Sequence, residues 1–339
     1  MIEEKFQQLE SLVKGRRVLI VTHNNPDPDA IAAGWAFAFL LQKKFQARPV
    51  LAYGGRITRA ENRAMVRLLH IVLKPIASVD LHRFEIFVLV DTQPRSKNHS
   101  LPFPIQPSIV IDHHDLRKDT PPIEFLDIRA RYGSTSTIVA EYLIQAGLLS
   151  GKKIATALYY GIRSDTLDLG RQATEADFKA AIALHPQAQL KIVSKIAHPE
   201  LSREYVLDFD RALHEARIYG DIILADLGYL RNTDMVALMA DFFLQFTNIH
   251  WSLVLARDGE SLVFSLRTRR FKTNAGRIAQ QLVKDRGAAG GHDQVAGGQI
   301  PLLGLPSEKI EDWSQVLAKK FLKMVGKEGA LEERLLPIV

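Results

Sequence analysis

"VTHNNPDPDA", residues 21–30, follows the apolar run "RRVLIVT" (16–22) and opens the helical stretch "AIAAGWAFAFLLQKKF" (30–45). An apolar strand, a polar turn and a helix make the first unit of a parallel-sheet domain. The turn then lies at the carboxyl end of the strand, where ligands gather in open α/β sheets. It places His23, Asp27 and Asp29 within seven positions. Carboxylates that close repel one another and raise one another's pKa unless cations lie among them.

Working outward, the same alternation continues through "ARPVLAY" (47–53), "TRAENRAMVRLLH" (58–70), "FEIFVLVD" (84–91) and "SIVIDHH" (108–114). The strands read as continuous apolar runs, as expected for a parallel sheet covered on both faces by helices. Helices dominate from Ser134 to about Tyr219, with a break near "LHPQAQL" (184–190). A second, smaller α/β unit begins at "GDIILADLG" (220–228), with a hairpin at "ARDGES" (256–261), a helix in "NAGRIAQQLVK" (274–284), a glycine-rich stretch "GGHDQVAGG" (290–298) and an amphipathic helix around Trp313 to Val325. The expected organisation is a domain over 1–185, a helical linker over 186–219 and a second domain over 220–339.

Composition narrows the chemistry. The 339 residues include no cysteine, which removes disulfides, thiolate nucleophiles and thiolate metal sites. Any metal must be held by His, Asp or Glu. The formal charge of +6 is too small for this length to identify a partner. No apolar run is long enough to span a membrane and the start "MIEEKFQQLE" is unlike a secretory signal, so the expectation is a cytoplasmic protein with no membrane partner.

Further polar residues stand at strand or helix ends: Asp91 after "FEIFVLV", Asp112, His113 and His114 after "SIVI", and Asp165 in "YYGIRSDT". Taken singly, an aspartate after a strand is commonly a turn or N-cap residue. Four carboxylates brought to one sheet edge call for a pair of divalent metals. Asp27, Asp29, Asp91 and Asp165 balance two dications, with His23 and His113 as nitrogen ligands. Oxygen-rich ligation with some imidazole suits two Mn2+, with Mg2+ as second choice.

The series His23-x3-Asp27-x-Asp29, Asp91, Asp112-His113-His114 and Asp165 resembles the DHH phosphoesterase family in order and spacing. "GGHDQVAGG" after "SLRT" (265–268) resembles the DHHA1 domain of its RecJ-like and nanoRNase branch, which includes pAp-phosphatases. The resemblance covers nearly the whole chain. It implies an N-terminal DHH domain and a C-terminal DHHA1 substrate-binding domain. It implies one ion on His23, Asp27 and Asp91 and the other on Asp29, Asp91, His113 and Asp165, with Asp91 bridging. Asp112 would orient a histidine, and His114 would face the substrate as hydrogen-bond donor or proton source.

With the aspartates cancelling the metal charge, a substrate phosphate needs other positive help, for which Arg267, His292, His114 and Arg171 are the candidates. Gly290 and Gly291 would let backbone approach a phosphate closely. "YGSTSTI" (132–138) reads as a helix N-cap, or as backbone and hydroxyl donors to phosphate. Pro28 stands where the family usually has glycine and is expected to stiffen the turn and shift Asp29. "SDTLDLGR" (164–171), Ala289 and Val295 also depart from the family pattern.

The expected activity is hydrolysis of short oligoribonucleotides or related nucleotides to nucleoside 5′-monophosphates, by a hydroxide held between two ions roughly 3.5 to 4 Å apart. The alternatives are a cyclic or linear dinucleotide phosphodiesterase, an exopolyphosphatase, or a non-catalytic nucleotide or RNA sensor on the same scaffold. A monomer or a homodimer is expected.

Overall fold

The computed structural model describes residues 2–96, 98–149, 151–230, 234–270, 273–284, 286–291, 293–302 and 307–336, and the chain divides into two compact units, Met1–Glu200 and Leu201–Val339.

In the first unit, α1 (Ile2–Val13) leads into β1 (Arg17–Val21), α2 (Pro28–Phe45), β2 (Arg48–Tyr53), α3 (Ala60–Leu69) and β3 (Lys74–Pro75). β4 (Ile86–Val90), β5 (Ile109–Asp112) and β6 (Phe125–Ile128) complete the sheet, and α4 (Thr135–Gln145), α5 (Lys152–Asp165), α6 (Glu175–Leu184) and α7 (Leu190–Ala197) follow. The six strands are parallel in the order β3-β2-β1-β4-β5-β6. The chain leaves β1 toward one edge and β4 toward the other, so the strand order reverses between them. That reversal opens a crevice at their carboxyl ends, and His23 and Asp91 flank it.

Both faces of the sheet are covered, but unequally. Val18, Ile20, Val88, Val90, Ile109 and Ile111 pack beneath α-helical residues such as Phe37, Leu41, Tyr142 and Leu158. Leu19, Val21, Leu89 and Val110 face the other way, under Ile76, Leu81, Leu101, Ile105 and Ile123 from short 3-10 turns and loops. Right-handed crossovers place the connections from β3 to β6 on this second face, and they are too short or irregular to form α-helices.

α2 shows why the local sequence folds as it does. Asp27 caps it, accepting from Ala30 N at 2.9 Å, Pro28 occupies the first turn, and Lys43 and Lys44 complement the helix dipole at its end. Its side chains Ile31, Phe37, Leu40 and Leu41 are fully buried, each stabilising by roughly 1.5 to 3 kcal/mol. Gly161 of α5 lets three helices converge. A Cβ there would lie 2.4 Å from Ser136 Oγ and 3.3 Å from Asp29 Cα.

The expected linker is divided between the units. α7 buries Val193 and Ile196 in the first core, whereas α8 (Arg203–Glu215) packs Ala212, Tyr205 and Phe209 in the second. The second unit continues with β7 (Arg217–Tyr219), β8 (Ile222–Tyr229), α9 (Asp234–Phe243), β9 (Trp251–Asp258) and β10 (Ser261–Thr268). Then come α10 (Ala275–Leu282), β11 (Ala288–Gly291), β12 (Val295–Pro301), α11 (Ser307–Met324) and β13 (Glu333–Arg334). Its sheet runs β11-β12-β10-β9-β8-β7-β13, with β8 and β9 parallel and the other pairs antiparallel. α8 and α9 contribute to the core on one face, where Phe242, Phe243 and Phe246 pack together, and α10 and α11 to the core on the other. Among the described residues, no helix is long and apolar enough to cross a membrane.

Candidate metal centre

Each candidate ligand stands where a strand or helix of the first unit ends. His23 follows β1 and Asp27 caps α2, with Asp29 in its first turn. Asp91 follows β4 in the left-handed region, at φ 59°, which aspartate tolerates better than most residues. Its amide donates to Ile111 O at 2.9 Å, and its side chain is buried. Asp112 ends β5, His113 and His114 follow it, and Asp165 ends α5.

The donor atoms converge. His23 Nε2 lies 3.4 Å from Asp91 Oδ2 and 3.7 Å from Asp27 Oδ1. His113 Nε2 lies 3.7 Å from Asp91 Oδ1 and 3.2 Å from Asp165 Oδ2. Thus the two oxygens of Asp91 face two different histidines. Ligand atoms of His23, Asp27 and Asp91 form one group within 4.8 Å, and those of Asp29, His113 and Asp165 form another.

Both histidines turn Nε2 toward the carboxylates. His23 Nδ1 lies 2.9 Å from Asn24 O, and His113 Nδ1 lies 3.1 Å from Tyr132 O. A backbone carbonyl beside Nδ1 favours a proton there and holds the Nε2 edge toward the carboxylates. His114 is held differently, with Nδ1 2.8 Å from Asp112 Oδ1. Asp112 in turn accepts from Gln93 Nε2 at 2.7 Å.

Without cations the cluster is electrostatically costly. Burial and then the nearby Asp91, Asp165 and Asp27 push Asp29 well above the usual carboxylate range, and burial and then Asp27 push Asp165 up to about 7. Burial opposes the charged form of His23, but bonding to Asp27 and Asp91 outweighs it and raises its pKa. Burial likewise opposes charge on His114, and the hydrogen bond to Asp112 overrides it, lifting the pKa to about 10. Four carboxylates with two imidazole Nε2 atoms fit a pair of hard or borderline dications.

Asp29 is gripped by α4. Its Oδ2 accepts from Thr135 N at 2.7 Å and its Oδ1 from Ser136 N at 2.8 Å. The "YGSTSTI" stretch therefore spends these two backbone donors on a carboxylate and not on a phosphate, while Ser134 is the N-cap. Pro28 sits at the first helical position, where its fixed φ suits the helix, and Asp29 keeps its bonds to α4.

Among the substrate candidates, Arg171 donates Nη2 to Asp165 O at 3.0 Å, and its Nε is buried with no hydrogen-bond partner among the described residues. Arg267 is buried within the second unit, donating to Asp241, Ser265, Leu266 O and Ala296 O. The guanidinium is held between β10, β12 and Asp241 of α9. Gly290 and Gly291 end β11. Gly291 has φ 153°, and a Cβ there would meet Val295 O at 2.2 Å. His292 lies outside the described residues.

Several supporting residues carried no sequence signal. Gln93 also donates to Asp115 O and accepts from Arg117 N, tying the β4 and β5 loops. Asp177, fully buried, accepts from Gly133 N at 2.9 Å and from Thr137 Oγ1 at 2.5 Å, fixing the start of α4. Only the polar series in "STST" hinted at that anchorage.

Residues 17–162 match the DHH family N-terminal domain. The chain is 33% identical over 319 residues to an uncharacterised protein of Methanocaldococcus jannaschii, covering 89% of this chain and 65% of that one. It is 23% identical over 155 residues to an uncharacterised protein of Mycoplasma genitalium, covering 43% and 44%. It therefore spans less than two thirds of either relative. The fold is similar to the crystal structure of an exopolyphosphatase-related protein from Bacteroides fragilis, with a TM-score of 0.72 at 17% identity, covering 95% of this chain and 97% of that chain. It is also similar to RecJ in complex with Mn2+ from Thermus thermophilus, with a TM-score of 0.55 at 13% identity, covering 97% and 55%. The DHH match spans all the candidate ligands just described except Asp165, so residues 17–162 form a DHH-family N-terminal domain.

Proposed function

We propose that this chain is a manganese-dependent phosphodiesterase that hydrolyses short oligoribonucleotides or related nucleotides to nucleoside 5′-monophosphates in the cytoplasm. The observation that carries this reading is the divided carboxylate of Asp91, with Oδ2 toward His23 and Oδ1 toward His113. That is the arrangement a bridging ligand requires. His23 and Asp27 would complete one ion, and Asp29, His113 and Asp165 the other. Bound there, two divalent cations would supply a nucleophilic water at neutral pH and neutralise charge on phosphoryl oxygens.

The protein's own groups would do the rest. Asp112 bonds His114 Nδ1 and so orients the imidazole beside Asp91. His114 would bond a phosphoryl oxygen or protonate the leaving group. Arg171, whose Nη2 donates to the Asp165 backbone carbonyl, would bind a substrate phosphate through its remaining guanidinium donors. In the second unit, Gly290, Gly291 and His292 are the proposed substrate-binding residues.

The test is mononucleotide release from a 5′-phosphorylated RNA dinucleotide with manganese, against a chelated control. Metal-dependent release lost in Asp91→Ala is expected. Hydrolysis of inorganic polyphosphate in place of the dinucleotide would overturn the substrate assignment.

A further inference from the structure

We propose that Arg129 is a positioning residue for the metal centre, acting on His113 through Tyr132. This rests on the metal-site reading above. The imidazole of His113 takes its orientation from the Tyr132 carbonyl, so whatever fixes that carbonyl fixes the ligand.

Arg129 follows β6, and its amide donates to Asp112 O at 2.9 Å. The guanidinium binds Asp127 through two bonds of 3.0 and 2.9 Å, Glu141 Oε2 at 2.5 Å and the Tyr132 hydroxyl oxygen at 3.2 Å. It also lies over the Tyr132 ring, 5.1 Å from its centroid. Tyr132 closes the circuit by donating its hydroxyl to Glu141 Oε1 at 3.0 Å and its amide to Arg129 O at 2.9 Å. Arg129 and Glu141 thus hold the ring of Tyr132, and the tight turn from 129 to 132 carries that constraint to its carbonyl.

No charged atom of this network touches a candidate metal ligand in these contacts. Its influence passes by geometry. Were the turn released, the Tyr132 carbonyl could rotate away, and His113 would lose both the preference for a proton on Nδ1 and the direction of Nε2. A bidentate, stacked guanidinium is suited to this work because it is planar and holds several partners in one plane. Anchors behind a ligating histidine typically govern metal affinity by tenfold or more.

A purely structural staple between β6 and α4 would use the same contacts, and a double-mutant cycle separates the two roles. Manganese affinity is measured on the full chain from the electron paramagnetic resonance signal of free Mn2+, with folding followed by circular dichroism melts. Arg129→Met should weaken the affinity about tenfold, but should change it little in the His113→Ala background, where there is no ligand left to position. Tyr132→Phe keeps the carbonyl and loses only the hydroxyl clamp. It runs the same cycle if Arg129→Met does not fold.

A loss of the same size in both backgrounds, or a lowered melting temperature with unchanged manganese affinity, would overturn the proposal. Failure of the wild-type chain to bind manganese would overturn the metal-site reading itself. A chain that binds manganese but hydrolyses no dinucleotide would refute only the substrate assignment.

Discussion

Thr135 donates its hydroxyl to Asp91 Oδ1 at 2.7 Å, across 44 residues of sequence, and both side chains are buried. The bond fixes which oxygen of Asp91 faces His113. Thr135→Ala should cost about 1 to 2 kcal/mol of stability and weaken manganese binding, because a buried charged acceptor loses its donor. Thr135→Ser should restore most of both. Melts and metal titration of the two variants check this.

Manganese should raise the melting temperature of chelator-treated protein. A ligand at 100 times its Kd stabilises by about 2.7 kcal/mol. Asp91→Ala should remove most of that stabilisation, as read by calorimetric melts with and without Mn2+.

The proton-holding cluster makes metal binding depend on pH. The folded-state pKa of Asp165 is about 7 against 3.8 for the isolated group, so the folded chain binds the extra proton between those values. In the metal-free protein this group therefore favours folding at low pH, and the contribution is lost as pH rises from about 3.8 to 7. Manganese must displace that proton and also one from His23. Its affinity should rise with pH, more steeply below about 7 than above. Titrations from pH 5.5 to 8.5 measure it, and a flat profile would contradict the assignment.

The two arginines should separate by readout. Arg171→Met should raise KM for a phosphorylated substrate about tenfold or more while manganese affinity holds, since it removes a charged donor. Arg267→Met should lower stability by about 2 kcal/mol, because it breaks a buried charge-assisted network. Steady-state kinetics and melts on both variants distinguish the roles.

The sheet, the strand-end turns and the placement of His23, Asp91 and His113 were legible because continuous apolar runs and the polar residues ending them are local signals. What was not legible depends on long-range geometry. The grip of Thr135 and Ser136 on Asp29 spans more than 100 residues. The burial of Arg267 follows from the packing of β10, β12 and Asp241 of α9 around a guanidinium that looks free in sequence. Pro28 looks like a perturbation in the sequence because it stands where the resembled family usually has glycine. In the fold it begins a helix, where proline is accommodated without strain. Tyr132 acts on His113 through its backbone carbonyl, which every residue carries and no sequence pattern marks.

The most direct test of the account is the number of manganese ions bound per chain, measured by metal analysis after dialysis and by electron paramagnetic resonance for coupling between the ions. Two coupled ions are expected in the wild-type protein, and loss of the coupled signal in Asp91→Ala. One uncoupled ion, or two ions indifferent to Asp91, would contradict it.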